Sequence, residues 1–278
     1  MPVIVVTDSA ARLPAEVVAA HDIRVVPLHI LLDGVDLRDG VDEVPPDIHE
    51  RQASTAGASP EELRTAYRQA LADSAGAGVV AVHLSAALSG TFGAAQQAAA
   101  ELGPEVTVVD SRSTAMGTGF VAIAAARAAA AGADRETVAA QAISAIGRGH
   151  GYIVVHRLDN LRRSGRIGGA AAWLGTALSL KPLLRIDDGK LVLAQRVRTP
   201  SKAVATMIDR VCEVVGSRSA ALAVHHVANP GGAGEVAAAL AERLPSCPPA
   251  SVSELGPVLA LHVGAGAVAV VADVPTAD

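Results

Sequence analysis

The stretch Gly78–Thr91 reads G-V-V-A-V-H-L-S-A-A-L-S-G-T, and the alanine-rich run Gly93–Leu102 follows it. An apolar run of strand length, a polar turn and a helix-forming segment come in that order. Such a run offers water no polar face, so it belongs to a strand buried on both sides. Strands of that kind build parallel sheets covered by helices. Two serines, a glycine and a threonine stand where the strand hands over to the helix. Ser and Thr cap helix starts routinely. Hydroxyls and free N–H groups at a helix start also suit an anion. This segment alone leaves both readings open.

The same alternation continues outward. Val3–Thr7 reads as a strand, Pro14–His21 as a helix and Val25–Leu32 as a second strand. Ser59-Pro60-Glu61-Glu62 opens a helix, with Ser at the N-cap, Pro at the first helical position and Glu at the third. Val106–Asp110 is a strand, and helices follow over Thr118–Ala131 and Asp134–Ile146. After Gly151 the rhythm changes. Tyr152–His156 is a strand, with short helical pieces near Asp159–Arg163 and Gly169–Leu180. Leu183–Asp187 and Leu191–Val197 form a hairpin closed by Asp188-Gly189. Thr199-Pro200 opens a helix through Val215, followed by strand Ala220–His226, helix Ala233–Arg243 and strand Ala267–Asp273. The expectation is an α/β protein of two domains. Residues 1–149 carry a mainly parallel sheet flanked by helices, and residues 150–278 a C-terminal α/β domain with a mixed sheet.

Composition narrows the function. Half of the 278 residues are hydrophobic and only 2% aromatic, so Ala, Val and Leu must fill the core. The net charge is −5 and no basic tract appears, which excludes the usual nucleic-acid footprint. Cys212 and Cys247 make neither a disulfide framework nor a metal knuckle, and read as thiols of a reducing compartment. The opening M-P-V-I-V-V-T-D-S lacks the basic and long apolar regions of a signal peptide. The most membrane-like stretch, Val258–Ala272, is about 15 residues long, below the ~20 that span a bilayer. A cytoplasmic protein is expected, with no membrane span and at most a transient membrane contact.

Candidate chemistry is sparse. The acidic stretch Asp33–Glu43 places carboxylates every third residue, whereas a calcium loop needs alternate positions; a solvated surface loop is expected. Gly117-Thr118-Gly119 and Gly264-Ala265-Gly266 each begin a G-x-G-x-x-A pattern, but neither sits between a strand and a helix as a dinucleotide site requires. There is no G-x-x-x-x-G-K-[ST], so no ATP site and no cofactor are expected. Ser89 lies in Ala87-Leu88-Ser89-Gly90-Thr91, which lacks the glycines of a nucleophile elbow. A hydrolase or acyltransferase using Ser89 and His262 is kept as an alternative. His262, in L-A-L-H-V-G-A-G-A, is either a hydrogen-bonded core histidine or a polar contact at the end of an apolar pocket.

Taken in order, several stretches resemble the DegV family of fatty-acid-binding proteins, which includes the FakB type. They are V-V-T-D-S-A-A-R-L-P with V-V-P-L at Val25–Leu28; T-A-G-A-S-P-E-E-L at Thr55–Leu63; L-S-A-A-L-S-G-T-F; V-V-D-S at Val108–Ser111; L-D-N-L-R-R-S-G-R-I at Leu158–Ile167; K-P-L-L-R-I-D-D-G-K-L with V-R-T at Val197–Thr199; and G-P-V-L-A-L-H-V-G-A-G-A at Gly256–Ala267. The resemblance implies two α/β domains with a lipid between them, its tail in an apolar tunnel and its carboxylate near the domain junction. On matching positions Thr55, Ser85, Ser89 with Gly90, and His262 would bind the carboxylate. The FakB type implies no enzyme by itself. It presents a long-chain fatty acid to a separate ATP-binding kinase subunit, which phosphorylates the carboxylate to an acyl phosphate for phospholipid synthesis. Arg166 and Arg198, in motif blocks of the second domain, are expected at a partner or a phosphate. Beside a carboxylate, His262 is expected to carry its positive form near neutral pH. Among the departures from the family pattern, T-A-G-A-S replaces T-S-Q-P-S, so that Ala56 and Ala58 lose a hydroxyl and a proline, and Ala86 replaces the second serine of an S-S pair. A dihydroxyacetone-kinase-like subunit, of related architecture, is a further alternative.

Overall fold

The computed structural model describes residues 2–167 and 181–276. The chain divides into two units, Met1–Val44 with Ala53–Gly147, and Pro45–Gln52 with Arg148–Asp278. The short segment Pro45–Gln52 therefore leaves the first unit for the second, a detour no composition shift announces.

In chain order the first unit contains β1 (Ile4–Asp8), α1 (Ala15–Ala20), β2 (Arg24–Val26), β3 (His29–Leu32), β4 (Val35–Arg38), β5 (Ala53–Ala56), α2 (Pro60–Asp73), β6 (Val79–His83), α3 (Thr91–Leu102), β7 (Val106–Asp110), α4 (Met116–Ala130) and α5 (Arg135–Ile146). Strands in the order β2-β1-β6-β7 form a parallel sheet. All five residues of β1 and of β6 are buried, as the unbroken apolar runs require. Val3, Val5, Val80, Val82 and Val109 pack with Val121, Ala122, Ala125, Val138 and Ala142 of α4 and α5. On α2 and α3, Leu63, Tyr67, Ala95 and Ala98 are fully buried. α2 starts with a complete capping box: the Glu62 N–H donates to Ser59 Oγ at 3.3 Å and the Ser59 N–H to the Glu62 carboxylate at 2.8 Å.

One expectation fails here and another holds only in part. Val25–Leu32 is not one strand. It breaks at Pro27-Leu28, so that β2 joins the parallel sheet and β3 enters a separate antiparallel sheet, β4-β3-β5. Pro27 has no N–H for a ladder, and the Leu28 N–H donates instead to Ser9 Oγ at 3.0 Å. Asp33–Glu43 is largely solvent-exposed, as expected, but it is not irregular throughout, since it contains β4, and Asp39 is buried. Asp33 and Gly34, at φ 51° and 81°, close the β3–β4 hairpin, and Asp39 is 3% exposed with Arg12 at 3.6 Å. The acidic content suggested solvation, whereas a buried carboxylate needs a cation, here supplied from far away in sequence.

The second unit holds a 3-10 turn at Ile48–Glu50, then β8 (Gly149–Val154), α6 (Asp159–Ser164), β9 (Lys181–Asp187), β10 (Lys190–Val197), α7 (Pro200–Val215), β11 (Ala221–His226), α8 (Pro230–Arg243), β12 (Ser251–Glu254), α9 (Pro257–Val263) and β13 (Val268–Asp273). Its mixed sheet runs β10-β9-β8-β13-β11-β12, antiparallel except for the β11–β12 pair. Met207, Val211, Val236 and Leu240 of α7 and α8 pack on Leu183, Leu222, Val224 and Val270. Asp188 and Gly189 take φ 46° and 78° at the β9–β10 turn, the conformation for which that dipeptide is suited. Thr199 caps α7 by accepting the Lys202 N–H at 3.3 Å. The helical piece expected near Gly169–Leu180 lies outside the described residues. Val258–Ala272 resolves into α9, a glycine-containing turn and β13. No described helix is long and apolar enough to cross a membrane. Ile48, 3% exposed, belongs to the 3-10 turn that packs on α9.

Candidate functional site

At the carboxyl end of β6 the chain turns from His83 through Ser85–Gly90 into α3. Ser85 is 1% exposed and tied from several sides. Its N–H donates to the Ser113 carbonyl at 2.8 Å, its carbonyl accepts the Leu88 and Ser89 N–H groups at 3.0 and 3.1 Å, and its Oγ accepts the Ala87 N–H at 3.2 Å. Ser89 Oγ lies 2.9 Å from Thr91 Oγ1 and accepts the Thr91 N–H at 3.2 Å. Its partners are both on Thr91, and no imidazole among the described residues takes its proton. Gly90 is the N-cap of α3, with no side chain to offer. Its φ of −72° suits any residue, and a Cβ there would meet nothing within 4 Å. Neither backbone nor packing demands glycine; Gly90 itself is exposed, while the first helical amide, that of buried Thr91, is already taken by Ser89 Oγ.

Thr55 does not sit at a loop–helix junction as the other hydroxyls do; it lies in β5, opposite Ile30. The loop after β5 nevertheless reaches the serine turn. A Cβ on Gly57 would stand 2.5 Å from Thr91 Oγ1 and 3.4 Å from Ser89 Oγ. The structure therefore gathers Ser85, Ser89 and Gly90 in one turn and seats the exit of the Thr55 strand against it. Ala86 is exposed in that turn, with its N–H 3.4 Å from each oxygen of the Asp110 carboxylate. A methyl stands where the family pattern places a hydroxyl. Ala58 is 3% exposed.

Under the turn lies a polar chain the sequence did not disclose. Asp8 and His83 have fully buried side chains. Asp8 Oδ1 accepts the Ala10 N–H at 3.1 Å, and Oδ2 accepts the Leu84 N–H at 2.9 Å and faces His83 Nδ1 at 2.9 Å. His83 Nε2 lies 2.6 Å from the Tyr67 hydroxyl. Burial, helped by the Asp8 charge, pushes the Tyr67 phenol far above its usual range. The neighbouring Ser9 holds Leu28, and Arg12 holds Asp39. Burial raises the Asp39 carboxyl against the opposing pull of Arg12 and a Ser9 hydrogen bond. Thus T-D-S-A-A-R, read only as part of a resemblance, anchors three separate loops. No spacing links residues 8, 67 and 83, so no sequence pattern could have joined them.

In the second unit α6 packs with α9. His262, on the last turn of α9, is pushed down to about 4 by burial and by the Arg166 charge. A buried ring beside a guanidinium resists a second positive charge, so without a carboxylate beside it the imidazole favours its neutral form. Arg166 follows the left-handed Gly165 (φ 68°) and donates to the Ser164 carbonyl. The glycines of H-V-G-A-G have a steric role. A Cβ on Gly266 would stand 2.6 Å from His156 Nδ1, and one on Gly264 would stand 3.0 Å from Asn160 Nδ2. His156 and Asn160 are thus additional polar groups of this region. Their signal was the G-x-G pair itself, weighed only as a nucleotide pattern. Arg198 stands exposed between β10 and α7 and makes no ion pair with a described residue. Among the described residues no group of three His, Cys, Asp or Glu is placed to hold a metal ion.

Comparison with known proteins gives this arrangement a context. Residues 2–274 match the family model described as "Uncharacterised protein, DegV family". A DegV domain-containing protein of Mycobacterium tuberculosis is 69% identical over 274 residues, covering 99% of this chain and 98% of the relative. Among solved structures, a fatty-acid-binding DegV family protein from Thermus thermophilus superposes with a TM-score of 0.92 at 30% identity, over 99% of this chain and 100% of that one. DegV from Bacillus subtilis, described as a fatty acid binding protein, gives 0.89 at 26% identity, over 99% and 100% of the two chains.

Proposed function

The chain belongs to the DegV family, and on that footing we propose that it binds a long-chain fatty acid. The observation that carries this reading is the hydroxyl turn at the start of α3, in a fold shared with fatty-acid-binding relatives. Thr55, Ser85, Ser89, the Gly90 N–H and His262 are the proposed carboxylate contacts. A carboxylate leaves water only where donors replace its hydration, and hydroxyls and amides beside a helix start are such donors. Burial of an acyl tail supplies the driving force, about 0.8 kcal/mol per methylene before ordering costs. His262 can serve this role in either protonation state, since a single N–H suffices to reach a carboxylate oxygen.

The finer reading is that this cytoplasmic protein is a carrier without catalysis of its own. It presents the bound acid to an ATP-binding kinase subunit that forms the acyl phosphate. Arg166 and Arg198 are then proposed for partner docking or phosphate handling, because one carboxylate already has its donors and guanidinium forks suit a phosphate or an acidic partner.

Mass spectrometry of an organic extract of the purified protein tests the first proposal, with about one fatty acid per chain expected. Empty extracts, with no uptake of added oleate or palmitate, would remove it. For the second, lipid affinity and kinase-dependent acyl-phosphate formation are measured separately in Arg166→Ala and Arg198→Ala. Retained affinity with lost phosphorylation supports it, and normal phosphorylation in both variants rejects the arginine assignment.

A further inference from the structure

The Tyr67–His83–Asp8 chain is an expensive feature for a protein to keep. Buried polar groups cost several kcal/mol each unless fully paired, and a well-packed apolar replacement is often neutral or better for stability. Here every group is paired. Both Asp8 oxygens face donors, so Nδ1 of His83 presents its proton to Asp8 and the Tyr67 hydroxyl donates to Nε2. The chain runs from α2 through the last residue of β6 to the last residue of β1, and ends on the backbone N–H of Leu84. Ser85 is the next residue, and its own N–H is fixed from the other side by the Ser113 carbonyl. The turn is therefore clamped at two successive amides. The clamp stands at the carboxyl ends of parallel strands, where α/β sheets bind ligands.

We propose that Asp8, His83 and Tyr67 are positioning residues for the anion site, fixing the exit of β6 so that Ser85, Ser89 and the start of α3 face a carboxylate. This rests on the fatty-acid reading given above. None of the three touches the ligand. They act through the Leu84 amide, as the outer partners of a metal ligand act through the ligand itself.

The test measures oleate affinity and thermal stability in the full-length protein for wild type, Tyr67→Phe, Asp8→Asn and a control, Val138→Ala. Tyr67→Phe removes one oxygen and keeps the ring, so it carries the test even if Asp8→Asn fails to fold. Val138 is fully buried on α5 and makes no part of the polar chain. Tyr67→Phe should weaken oleate binding about two- to tenfold, while Val138→Ala lowers the melting temperature and leaves affinity unchanged. In wild type, the slowly exchanging Nδ1 proton of His83 should shift in the NMR spectrum as oleate saturates the protein. Wild-type affinity in Tyr67→Phe and Asp8→Asn, with an imidazole proton that does not move, overturns the positioning role and leaves the fatty-acid reading standing. A wild type that binds neither oleate nor palmitate overturns both.

Discussion

His262 shows how one residue's surroundings set the sign of a pH effect. Its folded value of about 4 lies below the unfolded value of 6.5. Between those values the unfolded chain holds more protons, so stability falls as pH drops from about 6.5 to about 4 and is unaffected by this group above that window. The loss is on the order of 2–3 kcal/mol, allowing for the part of the ring that still meets solvent. Asp39 works with the opposite sign, because its raised folded value favours the acid side. Comparing wild type with His262→Gln in denaturant at pH 7 and pH 4.5 isolates the histidine. The variant should lose less stability over that interval, and equal losses would assign the acid sensitivity elsewhere. At the same scale, Ser89→Ala or Thr55→Val should weaken fatty-acid binding roughly ten- to hundredfold, the cost of one hydrogen bond to a charged group being about 1.5–3 kcal/mol. Titration with oleate measures it, and two unaltered affinities would take both hydroxyls out of the site.

Elements were legible wherever a local rule decided them. The Ser59 capping box, the Thr199-Pro200 helix start and the Asp188-Gly189 turn all appear where short-range chemistry puts them. Gly189→Ala should cost about 1 kcal/mol, since φ of 78° strains an L side chain. Thermal unfolding measures this, and the same substitution at Gly93, which has φ below zero, serves as the contrast. Elements decided at long range were not legible. Val25–Leu32 reads as one strand until Ser9 captures the Leu28 amide. β5 carries a small, polar sequence, A-S-T-A, and exists because β3 offers it a ladder. α9 hid within an apolar stretch whose period was unclear. The serine turn was visible because its residues are consecutive, while the Asp8–His83–Tyr67 chain beneath it was not, because it is assembled from three elements.

For the molecule as a whole, the segment Pro45–Gln52 matters more than its size suggests. The parallel and mixed sheets were both foreseeable from the change of rhythm after Gly151, but the detour was not, since eight residues carry no periodic signal. Ile48→Ala should destabilise the second unit by about 2–4 kcal/mol, the usual cost of emptying a buried aliphatic site. Hydrogen exchange should locate the loosened amides in α9 and leave those of β1 and β6 protected; loss of protection in the parallel sheet instead would contradict the division.

The detour also has a meaning in time. On a ribosome the first unit, apart from this segment, is complete once Gly147 has emerged, and its fold can close around an unfinished excursion. The helix that receives Ile48 is made roughly 200 residues later, a delay on the order of 10–40 s at bacterial to eukaryotic synthesis speeds. Through that interval an apolar side chain meant for the interior waits in water. The partner of Ile48 thus comes with the last helix of the chain, long after the parallel sheet has all its strands.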